Sequence, residues 1–451
     1  MSKVRAVDFY SEKPPPRIIG TESECSLQTK INSSKLSGYI STEAIRKSGH
    51  YAVQTFLDNG FRVYVDVGFL EVDTPECLGP SQAAAADYAG ILLLKSIVEH
   101  SDQEHHGLYR FTGTQIGQEK ETNGYHENFL IPSGVVNHQL MDSVLVSHLT
   151  SRIWSFAGNV QKSFSLSQKI GGIADPPLAR QLERQTTKKP MALLLAANID
   201  GATIGKNPDW ARVEVRFADT GFSRTNRFLS LATTSLVLRL IEHASLINKD
   251  RLENLSFIKP ADTALIFSND LTFNKTAQTQ CGKNISALDY QILLATEAKS
   301  LADKIELPGD EIQAIDLWLD VCDRLKRVDL DSKKYAGLLT ILDFAPRHRF
   351  LHKNFPEEII NSNNPDVVRA NLIWDRLLPE GGAMRYWSTV GSQFIAEETV
   401  LGLLREPPQT RAHNRAMLIR NNRGRIEFVN WSGVSTKTGY NRLNDPYDYS
   451  Y

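Results

Sequence analysis

Two short segments near the start of the chain carry charged and phenolic side chains at every second position. The first holds Glu22 and Glu24, and the second holds Arg62, Tyr64 and Asp66. Both segments are predicted to be strands, and a strand points alternate residues to the same face. A face with several carboxylates beside a cation and a phenol is costly to bury in a core. The spacing therefore favours a hydrated site that binds a metal.

A third acidic segment, residues 71–77, adds Glu71, Asp73 and Glu76 near the expected ends of neighbouring strands. Magnesium prefers oxygen ligands from a few carboxylates together with nucleotide phosphates, so these acids fit a magnesium–nucleotide site. A solvated sheet face with scattered carboxylates explains the spacing equally well. Asp66 suits a base or a nucleophile, while a plain ion pair with Arg62 is the simpler alternative.

The usual nucleotide-binding loops are missing, since the sequence contains neither GxxxxGK[ST] nor GxGxxG after a predicted strand. A nucleotide would have to lie on a sheet, held by a metal and by arginines. Arg411 and Arg415, four apart in a predicted helix, can bind phosphate, although a solvated basic face is commoner. Trp431 suits either the core or a flat surface for adenine. His126 is interpreted as structural, because the adjacent Glu127 must point to the opposite face of its strand.

Composition excludes several classes of protein. The chain has 51 basic and 52 acidic residues among 451, so no broad positive charge favours a nucleic-acid partner. Its four cysteines form no CxxC pair, which favours a reducing cytoplasm. No stretch approaches the roughly 20 apolar residues of a membrane span, and the first residues lack the apolar core of a signal peptide. We expect a soluble, cytoplasmic protein without a nucleic-acid or membrane partner.

Strand and helix patterns do not alternate strictly, which favours an α+β fold with a mainly antiparallel sheet flanked by helices. Apolar spacing predicts helices over 35–57, 81–100, 226–245 and 286–325, and strands over 17–20, 61–66, 107–112, 125–131, 191–198, 212–218 and 426–431. At 451 residues the chain exceeds one usual core, and the helical pattern breaks near residue 379. We therefore expect a large domain, 1–378, and a small C-terminal α+β domain, 379–451.

Eight short segments follow one another through most of the chain: GTESE at 20–24, NGFRVYVD at 59–66, EVDTPEC at 71–77, GYHENFLI at 124–131, LSQ at 166–168, SALD at 286–289, PPQTRAHNR at 407–415 and DPY at 445–447. In this order they resemble the Pup ligase and depupylase family, which attaches or removes the ubiquitin-like modifier Pup. That family is related to glutamine synthetase and glutamate–cysteine ligase. The resemblance implies a glutamine synthetase-like cradle of twisted antiparallel strands that carries Mg²⁺ and ATP, closed by helices and a small C-terminal domain.

The resemblance also implies roles for single residues. It gives a magnesium-binding set of Glu22, Tyr64 and Glu71, beside which Glu24 is a further candidate ligand. It gives nucleotide contacts at Arg62, Thr74 and Trp431, with Arg411 and Arg415 as further candidates, and Asp66 as the catalytic aspartate. In the family's ligases, ATP phosphorylates the terminal glutamate of Pup, and the aspartate helps a lysine of the target protein attack the acyl phosphate. The depupylases use the same site for hydrolysis.

Several departures from the family pattern bear on the reaction. The stretch 35–60 is too short for the long insertion of the depupylases, which favours a ligase. The family's RDEPHA run is replaced by NIDGAT at 198–203, its paired asparagines by Thr112 and Gly113, and its His-Pro before the metal-binding glutamate by Phe69 and Leu70. An ATP-dependent phosphatase or nucleotide hydrolase and a depupylase or amidase are therefore alternatives. The intact acidic set argues against an inactive module that only binds nucleotide.

Overall fold

The fold comes from a computed structural model of the chain. It describes residues 4–28, 49, 51–53, 55–66, 69–105, 110–112, 124–135, 139–160, 163–167, 195–198, 209–327, 335–361, 363–378, 380–392 and 394–450. Over these ranges no helix is both long enough and apolar enough to cross a membrane. The cytoplasmic location stays a prediction.

The centre of the described fold is an eleven-stranded sheet in which every neighbouring pair is antiparallel. Its strands are β1 (Ile18–Gln28), β2 (Ala52–Val53), β3 (Phe56–Leu57), β4 (Arg62–Asp66), β5 (Phe69–Asp73), β6 (Cys77–Leu78), β7 (Arg110–Thr112), β8 (Tyr125–Pro132), β11 (Leu195–Asn198), β12 (Trp210–Val215) and β15 (Arg376–Leu378). The smaller hairpins are β9 (Asn159–Val160) with β10 (Phe164–Ser165), and β13 (Thr276–Gln278) with β14 (Asn284–Ser286). The order β11-β12-β8-β1-β5-β4-β3-β2 places the long strand β1 between β8 and β5.

Helices cover one face of the sheet and form most of the second half of the chain. They are α1 (Gly79–His105), α2 (Val146–Ser151), α3 (Arg224–Glu242), α4 (Lys249–Asn254), α5 (Pro260–Ser268), α6 (Ala287–Ala302), α7 (Gly309–Lys326), α8 (Tyr335–Leu338), α9 (Phe344–Asn354), α10 (Pro365–Trp374), α11 (Gly382–Val390), α12 (Glu397–Arg405) and α13 (Arg411–Asn421). Every residue of α3 is buried, and the Ser223 hydroxyl caps this helix by accepting a hydrogen bond from the Asn226 backbone N–H.

The antiparallel sheet with flanking helices confirms the predicted fold class. The mostly helical pattern over 286–325 is also confirmed, as two helices, α6 and α7, separated by residues 303–308. One local prediction needs correction. The helix predicted over 35–57 is wrong at its end, where 52–57 contains β2 and β3, because pairing of these residues within the sheet overrides their helical apolar spacing. The rest of that prediction, 35–48, lies outside the described residues, as does 191–194 of the predicted strand 191–198.

Strand β1 separates two polar environments by simple alternation. The Thr21 and Ser23 hydroxyls point inward and donate to the Asp87 carboxylate of α1 at 3.0 and 3.1 Å. Asp87 also pairs with Arg227 of α3 at 3.0 Å. This buried network ties the sheet to its two central helices. The intervening residues, Glu22 and Glu24, therefore face the opposite side of the sheet, away from the helices.

The last part of the chain adds α13 and a three-stranded antiparallel sheet of β16 (Ile426–Asn430), β17 (Gly433–Thr436) and β18 (Gly439–Arg442). Its apolar side chains Leu418, Ile419, Val429, Val434 and Leu443 form a separate cluster with Phe56 of β3. Side chains of α11 and α12, including Trp387 and Leu403, belong to the main core instead. The domain boundary at 378/379 stays a prediction.

Candidate active site

Strand pairing aligns the acidic residues of the first three segments in two rows across the sheet. The rows are Glu24, Glu71 and Tyr64, and Glu22, Asp73 and Arg62, each running over β1, β5 and β4. Residues that are far apart in sequence thus share one face of adjacent strands. The backbone geometry brings together the candidate metal and nucleotide residues that the alternation indicated.

Glu71 and Tyr64 form a direct contact at the centre of this face. The Tyr64 hydroxyl donates to Glu71 Oε1 at 2.6 Å, and the Arg62 guanidinium lies 4.0 Å from the centre of the Tyr64 ring. Burial raises the pKa of Glu71 to about 7, although the hydrogen bond from Tyr64 opposes the rise. The charges of Glu22 and Glu24 raise it further. Burial, followed by neighbouring carboxylates, also raises the pKa of Tyr64, so the phenol remains protonated.

Glu22 is held by polar side chains from the other side of β1. Its Oε2 contacts His126 Nδ1 at 2.8 Å, and its Oε1 accepts from Asn128 Nδ2 at 3.0 Å and lies 3.4 Å from Arg212 Nη1. Burial opposes ionisation, but the hydrogen bond and charge of His126, followed by the charge of Arg212, hold the pKa of Glu22 below its ordinary value. Glu22 is therefore a stable carboxylate at neutral pH.

Two side chains of this site were missed by the sequence interpretation. Candidate ligand atoms of Glu22, His126 and Glu214 lie within 4.8 Å of one another. His126, interpreted from the sequence as structural or surface, contacts Glu22 and is a candidate ligand, whereas Glu127 points the other way and pairs with the buried Arg152 at 2.9 Å. The available signal in the sequence was that His126 and Asn128, two residues apart in a predicted strand, place two polar side chains on one face. No comparable signal in the sequence pointed to Glu214. Arginines lie two residues before and two residues after it, which is typical of an ordinary solvated strand face.

Glu24 lies beside Glu71 in the pairing register, and its carboxylate accepts a hydrogen bond from the Gly124 backbone N–H. A Cβ at position 124 would clash with the Glu24 carboxylate, so a side chain there would require Glu24 to move. Asp66 ends β4, where its backbone pairs with Phe69. The Asp66 side chain lies outside the described part of the structure, so its catalytic role stays a prediction.

A different arrangement occupies the other end of the acidic segment. The Glu76 carboxylate is buried between Arg411 Nε at 2.6 Å and Arg415 Nη2 at 2.7 Å. Burial opposes ionisation, but Arg415 and then Arg411 lower the pKa of Glu76 to about 2. The two arginines thus share a face of α13, as their spacing indicated, but in this structure they bind a carboxylate of the protein itself.

Arg415 also connects this ion pair to Trp431. It donates to the Trp431 carbonyl oxygen at 3.0 Å, and its guanidinium lies 4.9 Å from the centre of the indole ring. The edge of the indole packs against Phe56, with ring centres 5.1 Å apart. Thr74 lies between the two ends of the acidic segment, and its hydroxyl accepts from the Thr21 backbone N–H at 2.8 Å.

A cleft connects these two ends. It is lined by Ile18, Gly20, Thr21, Glu22, Asp73, Thr74, Glu76, Asn128, Phe129, Leu130, Arg212, Arg411, Trp431 and Pro446. It contains about 590 Å³ of empty space, part of which is open solvent. One end is rich in carboxylates, and the other presents an arginine, a threonine and an indole.

The family model of the Pup-ligase protein matches residues 2–435. The chain belongs to the Pup ligase family. It is 25% identical over 429 residues to the Pup–protein ligase of Acidimicrobium ferrooxidans, covering 90% of this chain and 89% of that protein. It is 23% identical over 405 residues to the Pup deamidase/depupylase of Mycolicibacterium smegmatis, covering 87% of this chain and 77% of that protein.

Two solved structures share the fold. The complex between Pup and its ligase PafA matches with a TM-score of 0.82 and 16% identity, over 97% of this chain and 90% of the ligase. The Pup ligase PafA in complex with ADP matches with a TM-score of 0.74 and 16% identity, over 94% and 92% of the two chains. These two structures confirm the fold expected from the sequence. The family model and the curated relatives confirm the family assignment and the ATP-dependent ligase class of enzyme. The roles of single residues stay predictions.

Proposed function

We propose that this protein binds ATP with Mg²⁺ in the cleft and uses it to join the terminal carboxylate of a Pup-like modifier to lysine side chains of target proteins. The observation that carries the proposal is the cleft's division into a carboxylate end and a nucleoside-like end within a Pup ligase fold. Relatives named as Pup–protein ligases, matched along most of their length, support the same activity.

The carboxylate end fits a divalent cation. Glu22, Glu71 and the Tyr64 hydroxyl offer the oxygen ligands that Mg²⁺ prefers, and His126 and Glu214 lie close enough to add to them. Burial, and then the charges of Glu22 and Glu24, raise the pKa of Glu71, and a bound cation would favour its ionised form. Bound Mg²⁺ would neutralise charge on the nucleotide phosphates.

The opposite end suits the nucleoside. Trp431 offers an aromatic face for the adenine, while Thr74 and Arg411 line the cleft between that face and the carboxylates. ADP is bound by the structural relative PafA, which supports nucleotide binding here. Arg62, beside Tyr64 and Asp73, then lies toward the phosphates.

The proposed reaction has two steps. A carboxylate oxygen of the modifier's terminal glutamate attacks the γ-phosphorus of ATP, so that ADP leaves and an acyl phosphate forms. The lysine amine of the target then attacks the acyl carbon, phosphate leaves, and Asp66 accepts the proton from the amine. In this scheme Asp66 is the general base, and the buried sheet face keeps the reacting groups in one orientation.

Hydrolysis at the same site is the second candidate function. It is favoured by the match to the Pup deamidase/depupylase of M. smegmatis at nearly the same identity as the ligase match. Water would then replace the lysine amine as the acceptor. The long depupylase insertion has no counterpart in residues 35–60, which favours ligation over this reaction.

The test combines the protein with ATP, Mg²⁺, a Pup-like protein ending in glutamate and a lysine-bearing target, with phosphate release and target mass as readouts. We expect a mass increase of one modifier per bond, with phosphate release that requires both modifier and target. Reactions lacking one component at a time serve as controls. Brisk phosphate release from ATP alone, without any conjugate, would overturn the ligase proposal in favour of a hydrolase.

A further inference from the structure

One carboxylate oxygen in the cleft has no hydrogen-bond partner among the residues that the structure describes. Asp73 is only 4% exposed, and its Oδ2 accepts from Arg62 Nη1 at 3.2 Å. Its Oδ1 is buried and makes no hydrogen bond to any described residue. An unsatisfied buried polar atom is costly, and a bound ligand, water or ion is one way in which its hydrogen bonding is completed. Because Asp73 lines the cleft, the missing partner belongs to whatever binds there.

The position of Asp73 narrows the choice of partner. It follows Glu71, at the proposed metal end, by two residues on the same face of β5. It precedes Thr74 and Glu76, which lie toward Arg411 and Trp431 at the nucleoside end. A nucleotide that spans the cleft from metal to indole has its ribose between these two ends.

The charge around Asp73 favours a neutral donor over a second cation. Its Oδ2 already pairs with the Arg62 guanidinium, and the neighbouring carboxylates of Glu22 and Glu71 are the ones assigned to the proposed cation. A sugar hydroxyl both donates and accepts, and it can therefore satisfy Oδ1 whether or not Asp73 is protonated. We propose that Asp73 binds the 2′- or 3′-hydroxyl of the ribose and makes the protein discriminate ATP from the analogue that lacks this hydroxyl. This inference rests on the proposed nucleotide site.

Calorimetric binding tests the inference without relying on turnover. Non-hydrolysable ATP and its 2′-deoxy and 3′-deoxy analogues are titrated with Mg²⁺ into the wild type and into Asp73→Ala. Hydrogen bonds to charged groups are worth enough that the wild type should bind one deoxy analogue about tenfold or more weakly than the ribonucleotide. The ratio of the Kd of that deoxy analogue to the Kd of the ribonucleotide should fall to about two or less in Asp73→Ala, because the hydrogen-bond partner is gone.

Two further variants serve as a conservative substitution and as a control. Asp73→Asn retains the size of the side chain if Asp73→Ala fails to fold, and it should also reduce the ratio. Asp270→Ala removes an equally buried aspartate, 5% exposed and outside the cleft lining, and should leave the ratio unchanged. Equal binding of all three nucleotides by the wild type, or an unchanged ratio in both Asp73 variants, would overturn the inference while leaving the nucleotide site intact. Failure of every nucleotide to bind would overturn the proposed function itself, and the inference with it.

Discussion

Glu71 and Glu76 lie five residues apart, and both are nearly buried at 4% and 8% exposure, yet their surroundings are opposite. Burial and the charges of Glu22 and Glu24 raise the pKa of Glu71 to about 7, although the hydrogen bond from the Tyr64 phenol opposes the rise. Glu76 lies between two guanidiniums, which lower its pKa to about 2. Carboxylates lie beside Glu71 in its row and in the next, whereas guanidiniums bind Glu76 directly.

This difference indicates that the Glu71 end is a ligand site, whereas the ion pairs of Glu76 with Arg411 and Arg415 form a structural joint between parts of the fold. A folded protein gains nothing from crowding carboxylates unless a cation or ligand completes the group, whereas a fully paired buried carboxylate joins elements. The Glu76 group connects the sheet to α13 and, through Arg415, to Trp431. We therefore expect changes at the Glu71 end to alter binding and catalysis, and changes at the Glu76 end to alter stability first.

The largest expected effect is a loss of turnover when Asp66, at the end of β4, is changed. Asp66→Asn keeps the size of the side chain but removes its basicity, so the rate should fall by about 10²- to 10⁴-fold while nucleotide binding persists. Steady-state kinetics and calorimetry measure the two quantities. Asp316→Asn, an exposed aspartate paired with Lys299, is the control. A rate close to that of the wild type would remove Asp66 from the chemistry.

At the joint, Glu76→Gln should destabilise the protein by about 3–5 kcal/mol, because it leaves Arg411 and Arg415 buried without their counter-charge. The matched control is Glu406→Gln, whose carboxylate pairs with Arg420 at 2.8 Å but is 64% exposed, and it should cost about 0–1 kcal/mol. Denaturant unfolding compares them. Similar losses in both variants would contradict the assignment of Glu76 as a buried joint.

The same joint predicts a dependence on acid. The folded pKa of Glu76, about 2, is below its ordinary value near 4.5, so its stabilisation is complete above about pH 4.5 and is lost as the pH falls through 2. The wild type should lose stability over this window more steeply than Glu76→Gln. Parallel pH profiles for the two proteins would exclude this contribution.

In the protein without nucleotide, Glu71→Gln should stabilise the fold, whereas Glu76→Gln should destabilise it. A folded pKa of about 7, raised above 4.5, means that stability is full below about pH 4.5 and is lost as the pH rises through 7. Near pH 8 the variant should therefore melt roughly 2 °C or more above the wild type, yet bind the Mg²⁺–nucleotide more weakly. Glu306→Gln, an exposed acid paired with Lys13, should change neither property. A less stable Glu71→Gln with intact binding would reverse the comparison.

A smaller effect is expected from Trp431→Ala. Stacking of a base on an aromatic ring is worth about 1–3 kcal/mol, so the KM for ATP should rise about tenfold with little change in kcat. Stability must be measured as well, since Trp431 also packs against Phe56. An unchanged KM would assign the indole to packing alone.

Alternation along strands made much of the site predictable from sequence. It placed Glu22 with Glu24, and Arg62 with Tyr64, on shared faces before their partner strands were known. Pairing across strands was not predictable in the same way, because register depends on contacts between distant segments. His126 was therefore missed as a site residue, because only the pairing of β8 with β1 places it opposite Glu22.

The arginines of α13 show a second limit. Their spacing correctly indicated a shared face, but not which anion they would contact, because Glu76 is 335 residues away from Arg411 in sequence. The helix predicted over 35–57 failed at 52–57 for a related reason, since strand pairing decided the outcome there. Local patterns thus identify faces, and tertiary structure identifies partners.

The most direct test of the comparison is titration calorimetry of a non-hydrolysable ATP analogue near pH 7, with Mg²⁺ and separately in EDTA. If the carboxylate end holds the cation, the wild type binds the nucleotide only with the metal, and binding releases protons from Glu71 that are absent in Glu71→Gln. Equally tight binding in EDTA, without proton release, would contradict the assignment of this end as the metal site.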